Sequence, residues 1–339
     1  MANKRFGCLG AVLIGLLCLS LLANLIFVLT RGASAAAASL SGAAEQAPKF
    51  DEEVVVAARN NSPQKIAMIY LRGIITGMEP GSVGVTMVDD LRIQLKQASD
   101  DPKVKAVLLY VDSPGGEVTA SDMIYNAVRR VRDDAKKPVV VYMGSVAASG
   151  GYYVACGGSW LMANETTFTG SIGVIMQTLN YQQLFGKVGL QTFTFKSGEF
   201  KDMLSGSREP TDAEKEYIQG LVMQTYGKFV GIVARERGLP EDQLRSGIAD
   251  GRVVSGKDAL EAKLINQLGE VEDAYAKAME LGGAADAAII RYESGFKLGK
   301  LFNLFGQSEK AKIEVNLTQS LMPKLEAGRF YYLPSIYAQ

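Results

Sequence analysis

The chain has 339 residues, 36 Lys+Arg against 36 Asp+Glu, three cysteines and no histidine. The length allows one large α/β domain, and the balanced charge gives no electrostatic footprint for nucleic acid. Without histidine the cysteines make neither a zinc site nor a disulfide framework, and with no EF-hand spacing or P-loop, no metal or other cofactor is expected.

In chain order, Lys4 and Arg5 precede an uncharged stretch from Phe6 to Thr30. That is about the 20 apolar residues needed to span a bilayer, and longer than the roughly 7–15 of a secretory h-region. Ala33-Ser34-Ala35 resembles a cleavage site, but the length favours an uncleaved anchor over residues 1–31. Basic residues before the span place the N-terminus in the cytoplasm and the rest of this single-pass chain on the extracytoplasmic side of the cell membrane. Residues 32–63 read as a flexible tether, most plainly the Ala/Ser/Gly/Gln/Pro-rich 32–49.

From residue 64 short β-rich runs alternate with amphipathic segments. Lys65 to Leu71 reads as a strand, Val88 to Ala98 as a helix, and Val104 to Val111 as a buried parallel strand. That run ends in Asp112-Ser113-Pro114-Gly115-Gly116, and a helix follows to about Arg132. Pro138 to Met143 is the next strand, Trp160 to Ile175 a weaker strand and turn, Tyr181 to Val188 a helix, and Leu190 to Phe195 a strand. Thr211-x-x-Glu214 can close a capping box on a long helix reaching Gly238. The alternation predicts an α/β fold of repeated βαβ units over residues 64–285. Residues 286–339 form a less regular extension whose aromatic groups fit packing on the body or contact with a neighbouring subunit.

Two small-residue turns follow consecutive strands, and each is expected to open a helix. Backbone N–H groups at such turns favour negative charge and can hold the oxyanion of acyl transfer. Gly116 and Gly150 are the natural donors, and Ser149 is the candidate nucleophile, although Ala147 breaks the G-x-S-x-G pattern. Small residues at a turn also serve tight strand–helix packing. With no histidine, the base for Ser149 is a lysine or a carboxylate, and lysine is the attested variant. A lysine base needs its pKa brought down toward roughly 7–8. Lys187, Lys196 and Lys201 all lie in plausible loops or strand ends, and spacing does not choose among them.

Several motifs together carry a resemblance: Asp112 to Gly116, Val146-Ala147-Ala148-Ser149-Gly150-Gly151-Tyr152-Tyr153, Thr169-Gly170-Ser171-Ile172-Gly173, Lys196-Ser197-Gly198-Glu199-Phe200-Lys201-Asp202 and Asp250 to Gly256. In this order the chain resembles the signal peptide peptidase A family (peptidase family S49), in its short bacterial form, within the ClpP/crotonase superfamily. The resemblance implies a ClpP/crotonase-like fold preceded by a single N-terminal transmembrane helix. It implies a serine endopeptidase in which Ser149 is the nucleophile, Lys201 the general base, Ser171 the residue that orients the lysine, and Gly116 and Gly150 the oxyanion hole. It further implies a ring-like homo-oligomer, an octamer, in which serine and lysine come from different protomers in short forms. The implied substrates are signal-peptide remnants and other unfolded peptides at the membrane. An acyl-CoA enzyme of the same superfamily fits poorly with a domain outside the cytoplasm.

Overall fold

Runs that are apolar on both faces build the centre of a parallel sheet. The structure, a computed structural model, describes residue 20, residues 50–77 and 86–293, and the backbone of residues 331–332. The first βαβ unit is β2 (Lys65–Arg72, after an edge strand β1, Asp51–Val56), α1 (Met87–Asp100) and β3 (Val104–Ser113). Thr86 caps α1, its hydroxyl accepting from Asp89 N–H at 3.2 Å. After β3 come a two-residue strand β4 (Gly116–Glu117), α2 (Val118–Asp133), β5 (Val139–Ala148) and a short α3 (Gly150–Ala155). Then follow β6 (Trp160–Ala163), β7 (Phe168–Gly170), α4 (Gln182–Lys187), a 3₁₀ turn at Glu199–Asp202 and the 26-residue α5 (Asp212–Arg237). The remaining elements are α6 (Glu241–Ser246), β8 (Val253–Ser255), α7 (Gly256–Glu261), β9 (Gln267–Leu268), α8 (Val271–Leu281), β10 (Ala288–Glu293) and β11 (Tyr331–Tyr332).

The main sheet runs β1-β10-β2-β3-β5-β6-β9. Only the β1–β10 pair is antiparallel along that path. Period-two alternation sends Val107, Leu109 and Val111 of β3 to one face, where α1, α2 and α3 cover them. Ala106 and Leu108 point to the other face, against Ala274 and Ala278 of α8. Burial on both faces is why β3 reads as an unbroken apolar run. The α/β expectation holds, with a parallel-rich sheet.

Three local expectations differ. Leu190 to Phe195 forms no strand: Leu190, Phe193 and Phe195 are 56%, 78% and 97% exposed, and among the described residues no strand pairs with this segment. Strand propensity alone does not make a strand. β1 falls inside the span expected to be tether. β10 falls beyond the boundary at 285, yet it is hydrogen-bonded between β1 and β2 and buries Ile289, Ile290 and Tyr292. Among the described residues no helix is long and apolar enough to cross a membrane; the anchor expected over 1–31 lies outside them, apart from residue 20. The backbone of β11 pairs antiparallel with β4 of its own chain.

Candidate active site

β3 and β5 are adjacent and parallel, so the turns that leave them emerge side by side at the carboxyl end of the sheet, where α/β folds place their sites. Asp112 ties the two strand ends together, its Oδ1 accepting from Val146 N–H at 3.1 Å. Ser113 Oγ accepts from Gly115 N–H at 3.1 Å and shapes the first turn. Thr169 Oγ1 donates to Ala147 O at 2.7 Å, fixing the strand end just before Ser149.

Ser149 has φ 52° and ψ −116°. This is the conformation of the first central residue of a type II′ turn, a glycine position, and holding another residue there costs roughly 1–3 kcal/mol. Its own N–H donates to Gly170 O at 2.8 Å, and its carbonyl accepts from Tyr153 N–H at 2.8 Å. The sharp turn converts strand to helix and leaves the hydroxyl at the junction. Ser149 is 1% exposed, and its Oγ has no hydrogen-bond partner among the described residues. A buried hydroxyl left so is costly, about 1–3 kcal/mol, which marks it as a candidate reacting group.

The two glycines lie against each other. A Cβ on Gly150 would sit 3.1 Å from Gly116 N and 2.6 Å from Ser121 Oγ. One on Gly116 would collide with the Ile75 carbonyl. Both positions therefore require glycine for space. Gly150 is the first residue of α3, so its N–H has no partner within the helix. Gly116 is in β4, two residues before α2, rather than at the start of a helix. Sequence patterning did not single out Ser121, whose buried hydroxyl donates to Glu117 O at 2.8 Å and walls this junction. Nor did it find Asp122, which accepts from the Tyr153 hydroxyl at 2.6 Å and meets Lys228 of α5 at 2.7 Å.

Ser171 is also close by, because Gly170 receives the Ser149 N–H. It is 3% exposed and has φ 50°, and its N–H donates to Arg252 O at 2.8 Å. Lys201 is placed differently. It lies on the 3₁₀ turn of a segment, residues 177–201, that contains no buried residue. Among the described residues no hydrogen bond joins Lys201 to Ser149 or Ser171. Lys187 is exposed on α4. Lys196 is engaged, its Nζ donating to Asp202 Oδ1 at 2.7 Å and Glu199 O at 2.9 Å.

Lys137 has its pKa lowered by burial. Its Nζ donates to Ala98 O at 2.8 Å and Asp101 O at 2.7 Å, before the start of β5. Ten strand residues at about 3.3 Å each separate that point from Ser149, roughly 33 Å. Lys137 is thus out of reach. Burial pushes the Cys156 thiol up to about 12, so the cysteine of α3's end is inert as a nucleophile. No cluster of three or more metal-ligating side chains occurs among the described residues.

The sequence model of peptidase family S49 matches residues 131–285, and that of Clp protease matches residues 61–168. A protein of Enterococcus faecium provisionally named signal peptide peptidase SppA is 39% identical over 201 residues, covering 59% of this chain and 58% of that protein. A protein of Synechocystis sp. provisionally named a protease is 37% identical over 225 residues, 66% of this chain and 77% of its own length. Protease 4 of Salmonella typhi is 36% identical over 218 residues, 64% of this chain but only 34% of that longer protein.

Proposed function

The chain belongs to peptidase family S49, a family of serine peptidases, and from that premise we propose that it is a membrane-anchored serine endopeptidase acting on remnant signal peptides. The observation that carries the reading is the buried, unpartnered hydroxyl of Ser149 on a glycine-type turn beside Gly116 and Gly150. In the proposed reaction Ser149 Oγ attacks a peptide carbonyl while the Lys201 amine takes its proton. The oxyanion is held by the N–H groups of Gly116 and Gly150, in the manner of preorganised donors. The lysine then passes the proton to the leaving amine, and water attacks the acyl-enzyme to release the acid and restore Ser149.

Lys201 reaches the serine of a neighbouring copy, and Ser171 of that copy orients it. What supports this is the exposure of the segment that bears Lys201, with Leu184, Val188, Leu190, Phe193 and Phe195 all turned outward. Apolar side chains gathered on one exposed segment are the mark of an interaction surface. A ring of such copies, an octamer, anchored through residues 1–31 with its peptidase domains on the extracytoplasmic side, admits extended apolar peptides and excludes folded proteins.

The test is hydrolysis of a synthetic signal peptide by the full chain in detergent. Ser149→Ala and Lys201→Ala are each expected to abolish turnover with assembly unchanged by sedimentation. Near-normal activity in Lys201→Ala would refute the base assignment, and near-normal activity in Ser149→Ala would refute the peptidase reading altogether.

A further inference from the structure

The turn that bears Lys201 also bears a carboxylate, Asp202, the very next residue. A carboxylate so placed is a trap for a lysine base: an ion pair with it would hold the ammonium form and turn the side chain away from a reacting hydroxyl. The structure shows what prevents that pairing. Asp202 Oδ1 accepts from Lys196 Nζ at 2.7 Å and from Arg208 Nη2 at 2.7 Å, and Oδ2 accepts from Arg208 Nε at 3.0 Å. Its side chain is only 12% exposed, whereas the neighbouring lysine stands outside this cluster.

Arg208 is itself held from behind. Its Nη1 donates to Glu214 Oε2 at 2.8 Å and to Glu209 O at 3.0 Å, and Nη2 meets Glu214 Oε1. Glu214 is 1% exposed and closes the capping box of α5, accepting from Thr211 N–H at 2.8 Å. Phe200 packs on Tyr217 of the same helix with ring centroids 5.5 Å apart. The fork geometry of a guanidinium suits this double carboxylate contact. The long helix thus anchors an arginine that occupies Asp202.

We propose that Arg208 and Lys196 are positioning residues that sequester Asp202, so that Lys201 is left unpaired for proton transfer. The inference rests on the reading of Lys201 as base. It assigns a task to Lys196, the other lysine of the Lys196 to Asp202 motif, and to an arginine outside it.

The experiment uses the full chain in detergent and a quenched fluorescent signal peptide, with kcat and KM measured separately. Arg208→Ala is expected to lower kcat by about two- to fivefold, the scale of one new exposed ion pair, with KM little changed. Adding Asp202→Asn to Arg208→Ala is expected to restore most of kcat, because the freed carboxylate is gone. Because Arg208→Ala also strands Glu214, Lys196→Met with and without Asp202→Asn forms a second pair that leaves Glu214 untouched. Restoration in the Lys196 pair supports the inference even if Arg208→Ala fails to fold. If Asp202→Asn restores activity in neither background, or if Arg208→Ala and Lys196→Met are both as active as the parent, the inference is overturned. Lys201→Ala in the same series separates the two readings: retained activity there removes the base assignment, while lost activity without rescue removes only the sequestration.

Discussion

Ser149 is expected to be the least stabilising small residue at its own position. Two liabilities meet there: a glycine-type backbone conformation, φ 52° and ψ −116°, and a buried hydroxyl with no partner among the described residues. Ser149→Ala keeps the backbone strain and removes the hydroxyl. The gain is about 1 kcal/mol, the lower end of the penalty for an unsatisfied buried polar group. Ser149→Gly removes the strain as well, roughly 1–3 kcal/mol, against about 0.5–1 kcal/mol of extra chain entropy lost on folding. Stability is therefore predicted to rise from Ser through Ala to Gly, while both variants lose turnover. For a domain of this size each 1 kcal/mol moves the midpoint by about 2–4 °C, so differential scanning fluorimetry resolves the steps. Both variants melting below the parent would refute the reasoning, since the hydroxyl would then have a partner and the turn no strain. This is the exchange of stability for activity expected when a fold holds a reactive group ready.

Gly116→Ala should cost about 10²–10³-fold in kcat, the effect of losing one oxyanion donor, because a Cβ there displaces the strand from Ile75; steady-state hydrolysis of the signal peptide measures it. Arg208 beside Asp202 holds that carboxyl well below the usual range, with Lys196 adding to it, and Arg208 brings Glu214 down to about 2. Both folded values are depressed, so the stabilisation is complete above the unfolded carboxylate range near pH 4 and is lost as pH falls toward 2. Arg208→Met is accordingly expected to flatten the acid limb of a plot of melting temperature against pH; an unchanged limb would show that these carboxylates do not govern it. Tyr125, raised to about 12 by burial and by its hydrogen bond to Glu236 at 2.6 Å, should stay un-ionised in the folded protein at pH 11, where spectrophotometric titration would find it ionised if the contact between α2 and α5 were loose.

The parts of the site legible in the sequence are those that the main chain builds. Two apolar runs, each ending in small residues, were enough to place Gly116, Ser149 and Gly150 together, because adjacent parallel strands deliver their turns to the same edge. Period and turn chemistry are local, and they survive in one dimension. The edges of the sheet were less legible. β1 and β10 are short, and β1 keeps Val54, Val55 and Val56 exposed, so its pattern does not differ from a tether's. Their pairing is a property of where the chain returns, which no window of sequence contains.

The lysine is the opposite case from the serine, and the reason is physical. A serine nucleophile is recognised by the backbone it distorts, whereas a lysine's role depends on which partners its flexible side chain has. Lys196 and Lys201 are five residues apart in one motif, and sequence spacing treated them alike. The structure separates them by engagement: Lys196 is bound to Asp202 and the Glu199 carbonyl, and Lys201 is not. Yet a free lysine on an exposed segment is also what an ordinary surface lysine looks like. The distinction therefore lies in the carboxylate beside it. An ordinary surface Lys-Asp pair gains little from keeping its charges apart, and exposed ion pairs are weak enough to form or dissolve freely. Here an arginine fastened to a capped helix and a second lysine both hold the aspartate. In the proposed reading, the two cations held on one carboxylate leave the third, Lys201, outside the cluster and available; the Asp202→Asn rescue separates that task from simple anchoring of the turn to the helix.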